Sequence, residues 1–257
     1  MHRILFTVVG AALGAVVARS RHRELRAERL AAATLETLLN AIDANDAVTG
    51  AHVRRVAAYS LILAQAVDAP EHERRRIERV ALFHDVGKLH GALFDIIHDH
   101  RKLDGAERRA IATHPRRGAE VLEPLAAFYP ELPLGVICHH ERWDGSGYPR
   151  RLRGHAIPFT SRVVAIADTF DAVSASRRYH RGEGAQRAFD VIKEGRGTQF
   201  DPDLADRFLS PDVSGRIRDV MRTARRRVPA AERRNRRHAV GAAAPDVSFR
   251  WRDGLER

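Results

Sequence analysis

Along most of this chain, apolar residues recur every three or four positions, as they do on one side of an amphipathic helix. The run from Val53 to Val67 has this spacing and predicts a helix that begins near Asp46 and ends near Pro70. Residues 71–86 predict a second helix, which Gly87 would end. Because Ala, Leu and Arg dominate and aromatic residues make up only 6% of the chain, the pattern favours an all-α fold.

Further helices are predicted over residues 104–113, from about Pro133 to His140, and from Thr160 onward. The segment 141–158 contains three glycines and two prolines, so we expect an irregular loop there. The stretch 197–202 and a short helix through Leu209 would close the folded part. The sequence therefore predicts one helical domain over residues 45–213.

The amino-terminal segment, residues 1–19, has a different character, since residues 4–18 are apolar and uncharged and arginines flank them on both sides. As a helix, these fifteen residues would span about 22 Å, less than the roughly 30 Å hydrocarbon core of a membrane. We interpret the segment as a short anchor, a signal-peptide core or an interfacial helix. The arginines that follow favour membrane contact through residues 4–18, with the folded part in the cytoplasm.

Residues 20–44 carry leucines among glutamates and arginines, which predicts an amphipathic linker helix between anchor and domain. Its apolar side could pair with a second copy of the chain and so form a homodimer. The single cysteine, Cys138, excludes an intramolecular disulfide, and we expect it to be a small buried residue.

The net charge of +11 suggests a nucleic-acid-binding protein until its distribution is considered. Residues 214–257 hold 13 arginines and 5 acidic residues, so this segment carries a net charge of +8. Because it has little apolar content, we predict a basic, disordered tail. Contact of the tail with anionic lipid or RNA is the alternative. We expect no specific nucleic acid to bind the folded part.

Several metal-ligating side chains stand in apolar stretches, where an unpaired charge would be costly. Imidazole and carboxylate suit first-row metals such as Fe and Mn, and one carboxylate can bridge two ions. Two ions about 3.5 to 4 Å apart can share a hydroxide that attacks a phosphoester. The sequence therefore outlines a phosphodiesterase site with two divalent metal ions. The candidate residues are His52, His84, Asp85, His114, His139, His140 and Asp168.

The eleven-residue run from His139 to Pro149 is the most specific motif in the chain. The other motifs are Asp46-x-x-Thr49-x-x-His52 with Arg55, Leu82 to Lys88, His114-Pro115, Ile157-Pro158, Asp168-x-x-Asp171-Ala172, and Gly197 to Pro202. With these motifs, residues 40–210 resemble the HD-GYP domains, a branch of the HD metal-dependent phosphohydrolases that is associated with cyclic di-GMP hydrolysis. The resemblance implies an HD-domain helical bundle with an irregular GYP loop, here residues 141–158.

The resemblance also implies roles for individual residues. The six residues His84, Asp85, His114, His139, His140 and Asp168 match the metal ligands of the family, and His52 is a seventh candidate. Asp85 and Lys88 would be catalytic, with the Lys88 cation near the scissile phosphate. The expected substrate-binding residues are Lys88, Arg142, Gly147, Tyr148, Pro149 and Arg177.

Two departures from the family pattern affect these expectations. Some members have a glutamate four residues before the first histidine, associated with a third metal, whereas this chain has Val48. We therefore predict two metal ions. The segment from Leu89 to Arg101 also differs from the usual one, and it includes His90, His98 and His100, which we expect to be solvated.

Three functions are compatible with these residues. The first is hydrolysis of cyclic di-GMP to pGpG, GMP or both. The second is a non-catalytic module that binds cyclic di-GMP, or a partner protein at the GYP loop, and the altered segment 89–101 supports it. The third is an HD phosphohydrolase that acts on another nucleotide. The first is preferred because six buried polar groups are costly to keep without a function.

Overall fold

The structure is a computed structural model, which describes residues 2–89, 93, 104–175 and 183–226; its described side chains are those of 21–89, 93, 104–175 and 184–223. The described residues are predominantly helical, and the all-α prediction is confirmed. The helices are α1 (His2–Asn45), α2 (Ala47–Ala66), α3 (Glu71–Phe83), α4 (Gly105–Ile111), α5 (His114–Leu122), α6 (Glu131–Ile137), α7 (Phe159–Ser174), α8 (Glu183–Glu194), α9 (Pro202–Leu209) and α10 (Pro211–Arg226).

The described residues divide into two compact units, one within residues 2–40 and the other within residues 41–226. Helix α1 is uninterrupted from His2 to Asn45, so no break separates the predicted anchor from the predicted linker. Within the described part of the chain, no helix combines the length and the apolar character that crossing a membrane requires. Leu25 and Leu30 of α1 are exposed, and the pairing of linker helices stays a prediction.

The second unit is built around α2, which packs against α3 and α7. Helix α2 begins next to Asp46, where the sequence predicted a helix start, and Asp46 caps it by accepting a hydrogen bond from the Val48 N–H at 2.9 Å. The face of α2 that carries Val53, Val56 and Leu63 is buried. This packing fixes α2 against the two helices that bear further candidate site residues.

An aromatic cluster holds the carboxyl-terminal helices to α7. The Phe170 ring of α7 lies 5.3 Å from Tyr59, 4.8 Å from Phe189 and 5.4 Å from Phe208, measured between ring centroids. All four side chains are buried, and their edge-to-face or tilted geometry is the favourable one for aromatic pairs. The cluster therefore helps to fix the position of the helix that carries Asp168.

Three predicted boundaries are wrong. The helix predicted over residues 71–86 ends at Phe83, and the helix predicted through His140 ends at Ile137, because the residues that follow turn inward as site residues. The tail predicted from residue 214 begins too early, since α10 continues to Arg226. Val213 and Ile217 are fully buried one turn apart, an apolar strip that the arginine content concealed. Residues 227–257 lie outside the described part.

The extension of the fold through α10 can be tested at Gly215. A Cβ at this position would meet no atom within 4 Å, so alanine adds helix propensity without a clash. We expect Gly215→Ala to stabilise the protein by about 0.5–1 kcal/mol, which is roughly 1–4 °C in Tm. Thermal unfolding by circular dichroism measures the change.

Gly87→Ala is the matched control, because its Cβ would lie 2.1 Å from the His114 carbonyl oxygen and should lower Tm. A Gly215→Ala protein that is no more stable than the parent would mean that residues 211–226 are not an ordered helix.

Candidate metal centre

Three candidate histidines lie at helix ends and are oriented in the same way. Each Nδ1 lies within hydrogen-bond distance of the carbonyl oxygen three residues earlier. Because a carbonyl can only accept, Nδ1 donates and the Nε2 lone pair is left facing the interior. The bonds run from His84 to Ala81 at 2.8 Å, from His114 to Ile111 at 2.7 Å, and from His139 to Val136 at 2.6 Å.

Asp85 lies among these imidazoles, and its two oxygens face different partners. Its Oδ1 atom is 3.3 Å from Nε2 of His114 and 4.0 Å from Nε2 of His139. Its Oδ2 atom is 3.5 Å from Nε2 of His84 and 3.7 Å from Nε2 of His52. One carboxylate therefore stands between two sets of imidazole nitrogens, the arrangement that a bridging ligand requires.

The remaining candidates complete these two sets. Asp168 of α7 brings its Oδ1 within 3.2 Å of Nε2 of His52 and 3.7 Å of Nε2 of His84. His140 joins His114 and His139 in a group whose ligand atoms lie within 4.8 Å of one another. His52, His84 and Asp85 form a second group by the same measure. The structure thus brings together all seven residues that the sequence predicted as metal ligands.

The donor set fits divalent cations. Among the described residues, Nε2 of His84 and Oδ1 of Asp85 are buried and have no hydrogen-bond partner. Burying such atoms without a partner is costly, and a cation would satisfy both lone pairs. Imidazole nitrogen mixed with carboxylate oxygen suits ions such as Fe and Mn.

The ionisation states of Asp85, His139 and His140 also suit metal binding. Burial, together with neighbouring imidazoles, holds the pKa of His139 well below its usual range. Burial also lowers the pKa of His140 to about 4, and nearby charges have smaller effects. Both rings are therefore neutral near pH 7, the form that ligates. Burial raises the pKa of Asp85, but Lys88, His84 and His114 outweigh this effect and hold the pKa well below the usual range. The carboxylate is thus ionised.

His52 is oriented by a carboxylate rather than by a backbone carbonyl. Its Nδ1 lies 2.8 Å from Oδ2 of Asp171, which is buried one turn after Asp168. Arg55 binds both oxygens of Asp171, with Nε to Oδ1 at 2.7 Å and Nη2 to Oδ2 at 2.8 Å. The matching motif pointed to Asp171 and Arg55, but only the fold reveals that they orient His52.

Lys88 follows the Asp85 turn and contacts the same carboxylate, with Nζ 2.6 Å from Oδ2 of Asp85. Burial lowers the pKa of Lys88, but the charges of Asp85 and Asp168 raise it above its usual value, so the ammonium stays protonated. Gly87 allows this turn to approach α5, since a Cβ there would lie 2.1 Å from the His114 carbonyl oxygen. The cation predicted to lie near a scissile phosphate is therefore beside the candidate ligands.

The GYP loop contacts the centre through Tyr148, whose ring stacks on His140 with centroids 5.0 Å apart and planes at 25°. Gly147 permits a tight turn, because a Cβ there would lie 2.3 Å from the backbone nitrogen of Arg142. Arg142 itself bonds to residues of the loop and of the turn after α8. Among the other predicted residues, Arg177, His90, His98 and His100 lie outside the described residues, as part of the altered segment does.

A model of the HD domain matches residues 36–204, about two thirds of the chain and all seven candidate ligands. The chain belongs to the HD-domain family. The His84-Asp85 doublet that names these domains is thus the pair at the end of α3, with Asp85 between the two groups of histidines.

Curated relatives of this HD domain carry names that agree with the HD-GYP resemblance. One is the 3′3′-cGAMP-specific phosphodiesterase 2 of Vibrio cholerae, 38% identical over 174 residues, which are 67% of this chain and 33% of that protein. Another is the cyclic di-GMP phosphodiesterase response regulator RpfG of Xanthomonas campestris, 36% identical over 178 residues, 68% of this chain and 47% of that protein. The aligned parts thus span about a third to a half of these relatives.

A solved structure has the same fold as this HD domain. It is an HDG"Y"P protein from Bdellovibrio bacteriovorus, with 19% sequence identity and a TM-score of 0.51, and the match covers 62% of this chain and 50% of that one. The predicted HD-domain bundle is therefore confirmed.

The orientation of His52 by Asp171 can be tested by removing the charge of that carboxylate. We expect Asp171→Asn to weaken divalent-metal affinity about 10- to 100-fold, because an amide holds neither the imidazole nor Arg55 as a carboxylate does. Competition with a chromophoric chelator measures the affinity. Asp206→Asn is the control, since Asp206 pairs with Arg196 on the surface. Unchanged affinity in a folded Asp171→Asn protein would contradict this role.

Proposed function

We propose that this HD domain is a metal-dependent phosphodiesterase that hydrolyses cyclic di-GMP to pGpG, GMP or both. The observation that carries the proposal is the position of Asp85, whose two oxygens face separate groups of imidazole nitrogens. This is the donor arrangement for two divalent ions, Fe or Mn, that share one carboxylate. The named activities of the curated relatives support the same substrate class.

In the proposed reaction, divalent ions held by these residues would supply Lewis acidity and would activate the water that attacks phosphorus. Asp85 and Asp168 provide negative charge between the imidazoles, while the backbone bonds of His84, His114 and His139 keep their Nε2 atoms directed inward. Lys88 holds a proton and a positive charge beside Asp85, where it can offset charge that develops on a phosphate oxygen. Addition of one water breaks one phosphodiester bond and opens the ring to pGpG, and a second hydrolysis of the remaining phosphodiester would give two GMP.

A second candidate substrate is 3′3′-cGAMP, because the curated relative that is 38% identical to this chain is named for it. The metal ligands would act on a phosphodiester group, which both cyclic dinucleotides contain. Discrimination between them would therefore depend on side chains that contact the bases.

The substrate is tested by incubating the Mn- or Fe-loaded protein with cyclic di-GMP and, separately, with 3′3′-cGAMP. We expect linear dinucleotide from cyclic di-GMP, and its loss in Asp85→Ala, because this change removes the shared carboxylate. Chromatography of the products measures both. Asp206→Asn serves as the control, with unchanged turnover.

Each outcome selects one function. Turnover of 3′3′-cGAMP alone would replace cyclic di-GMP as the substrate. Binding of a cyclic dinucleotide without turnover would support the non-catalytic module, and neither binding nor turnover would support a phosphohydrolase of another nucleotide.

The number of metal ions is a separate expectation. We expect two ions per chain, because the position four residues before His52 is Val48, which has no ligand atom and is 46% exposed. Metal analysis of protein purified under anaerobic conditions gives the number, and Asp85→Ala should hold fewer ions. Three ions per parent chain would contradict the expectation.

A further inference from the structure

Arg142 was expected to bind substrate, but its guanidinium is engaged within the fold. Nε donates to the Ser146 hydroxyl at 2.9 Å, Nη1 to Oε1 of Gln199 at 2.9 Å, and Nη2 to Oδ2 of Asp144 at 3.3 Å. Two of these partners belong to the GYP loop, whereas Gln199 belongs to the turn after α8. The planar fork of an arginine can hold several acceptors at once, which suits a structural junction between segments.

Gln199 connects this junction to the helix that carries Asp168. Its side-chain Nε2 lies 3.4 Å from the hydroxyl of Thr169, the residue that follows Asp168. Its backbone carbonyl oxygen accepts a hydrogen bond from the backbone N–H of Trp143 at 3.1 Å. Beside it, the Thr198 carbonyl accepts from the Asp144 N–H at 2.8 Å. Gln199 therefore contacts the loop through backbone and side chain, and α7 through its amide.

The turn that presents Gln199 is itself tightly built. Gly197 has a φ of +73°, a conformation that favours glycine. The Gln199 N–H donates to the Gly195 carbonyl at 2.9 Å, and a Cβ on Gly195 would lie 2.6 Å from the ring of Phe200, which is buried. The turn thus fixes the position of Gln199. Gln199 therefore provides a fixed point to which the GYP loop binds.

Other contacts hold the loop at neighbouring points. Glu141 is buried, and its two oxygens accept the N–H groups of Arg150 at 2.7 Å and Leu152 at 3.0 Å. Tyr148 stacks on His140, as described above. The part of the loop that includes Trp143 and Asp144 is held through Arg142 and Gln199.

We propose that Arg142 and Gln199 are a positioning pair that fixes the GYP loop against α7, and that Arg142 does not contact the substrate. For its kinetic consequence, this inference rests on the proposed phosphodiesterase function. Without the pair, the candidate metal ligands keep their own hydrogen bonds and the backbone contacts of the loop remain, but the loop that would bind substrate loses its side-chain attachment to Gln199 and is held less firmly. The loss should therefore raise KM and leave kcat nearly unchanged.

Trp143 provides a readout that does not depend on activity. Its ring lies 5.0 Å from that of His155, and the Arg162 guanidinium is 5.9 Å from the Trp143 ring. The chain has two tryptophans, so Trp251→Phe leaves Trp143 as the single tryptophan fluorophore. In this background, Gln199→Met should shift Trp143 emission to longer wavelength and increase its quenching by acrylamide.

The kinetic arm uses the same proteins with the cyclic dinucleotide that the parent hydrolyses. Gln199→Met should raise KM roughly tenfold, because it removes a hydrogen bond to a charged group. Gln199→Glu keeps an acceptor for Arg142 and should restore the parent emission. Gln186→Met on α8 is the matched control, since Gln186 is exposed and bonds only to Asp190 among the described residues, and it should leave emission, KM and metal content unchanged.

A second variant separates positioning from substrate contact. Arg142→Lys keeps the positive charge for a phosphate but cannot hold three partners in the geometry of the guanidinium. If the pair positions the loop, Arg142→Lys should shift Trp143 emission to longer wavelength, as Gln199→Met does. The double variant should then have a KM no higher than that of the more affected single variant. Parent-like emission in both single variants, or changes in KM that multiply in the double variant, would overturn the proposal.

The two proposals can fail separately. A parent protein that hydrolyses no cyclic dinucleotide would disprove the proposed function, while Trp143 emission would still decide whether Arg142 and Gln199 hold the loop. If Gln199→Met does not fold, as judged by thermal unfolding, Arg142→Lys emission decides the same question.

Discussion

The buried carboxylate of Asp85 is the constraint to which the surrounding structure conforms. Its side chain is 4% exposed, so its charge must be balanced by nearby groups rather than by water. Lys88 supplies a positive charge beside it, and four histidines from separate segments of the chain place their Nε2 atoms within 4.0 Å of it. Three helix termini meet at Asp85: the ends of α3 and α6 and the beginning of α5. The loops that follow α3 and α6 therefore start from positions that this carboxylate constrains.

The sequence predicted the bundle well where apolar periodicity was strong, as in α2, and poorly where charge concealed it, as in α10. Helix ends near the centre were displaced by about one turn, because a residue can continue a helical pattern and still turn inward to meet a ligand set. The seven candidate ligands were recognisable by residue type and motif. The pairing of Asp171 with His52, and that of Arg142 with Gln199, depend on residues far apart in the chain, which one sequence cannot connect.

The candidate metal ligands and the GYP loop would have different roles in the domain, because they differ in chemistry. In the proposed function, the imidazole and carboxylate groups would act on a phosphodiester, a group that all cyclic dinucleotides share. The curated relatives are named for two of these nucleotides, although they resemble this chain to a similar degree. Selectivity among such substrates would therefore reside in the loop and its supports, where a small change in register moves many side chains at once.

The close approach at Gly87 brings two backbone segments of the metal centre into direct contact. The turn that carries Asp85 touches the first residue of α5 so closely that a Cβ would overlap the His114 carbonyl oxygen and come within 2.6 Å of the Gly118 nitrogen. Side chains can rotate to absorb a misfit, but two backbones in contact cannot. The direct backbone contact consequently limits how the Asp85 turn can move relative to His114, and at position 87 the absence of a side chain matters more than the chemistry of one.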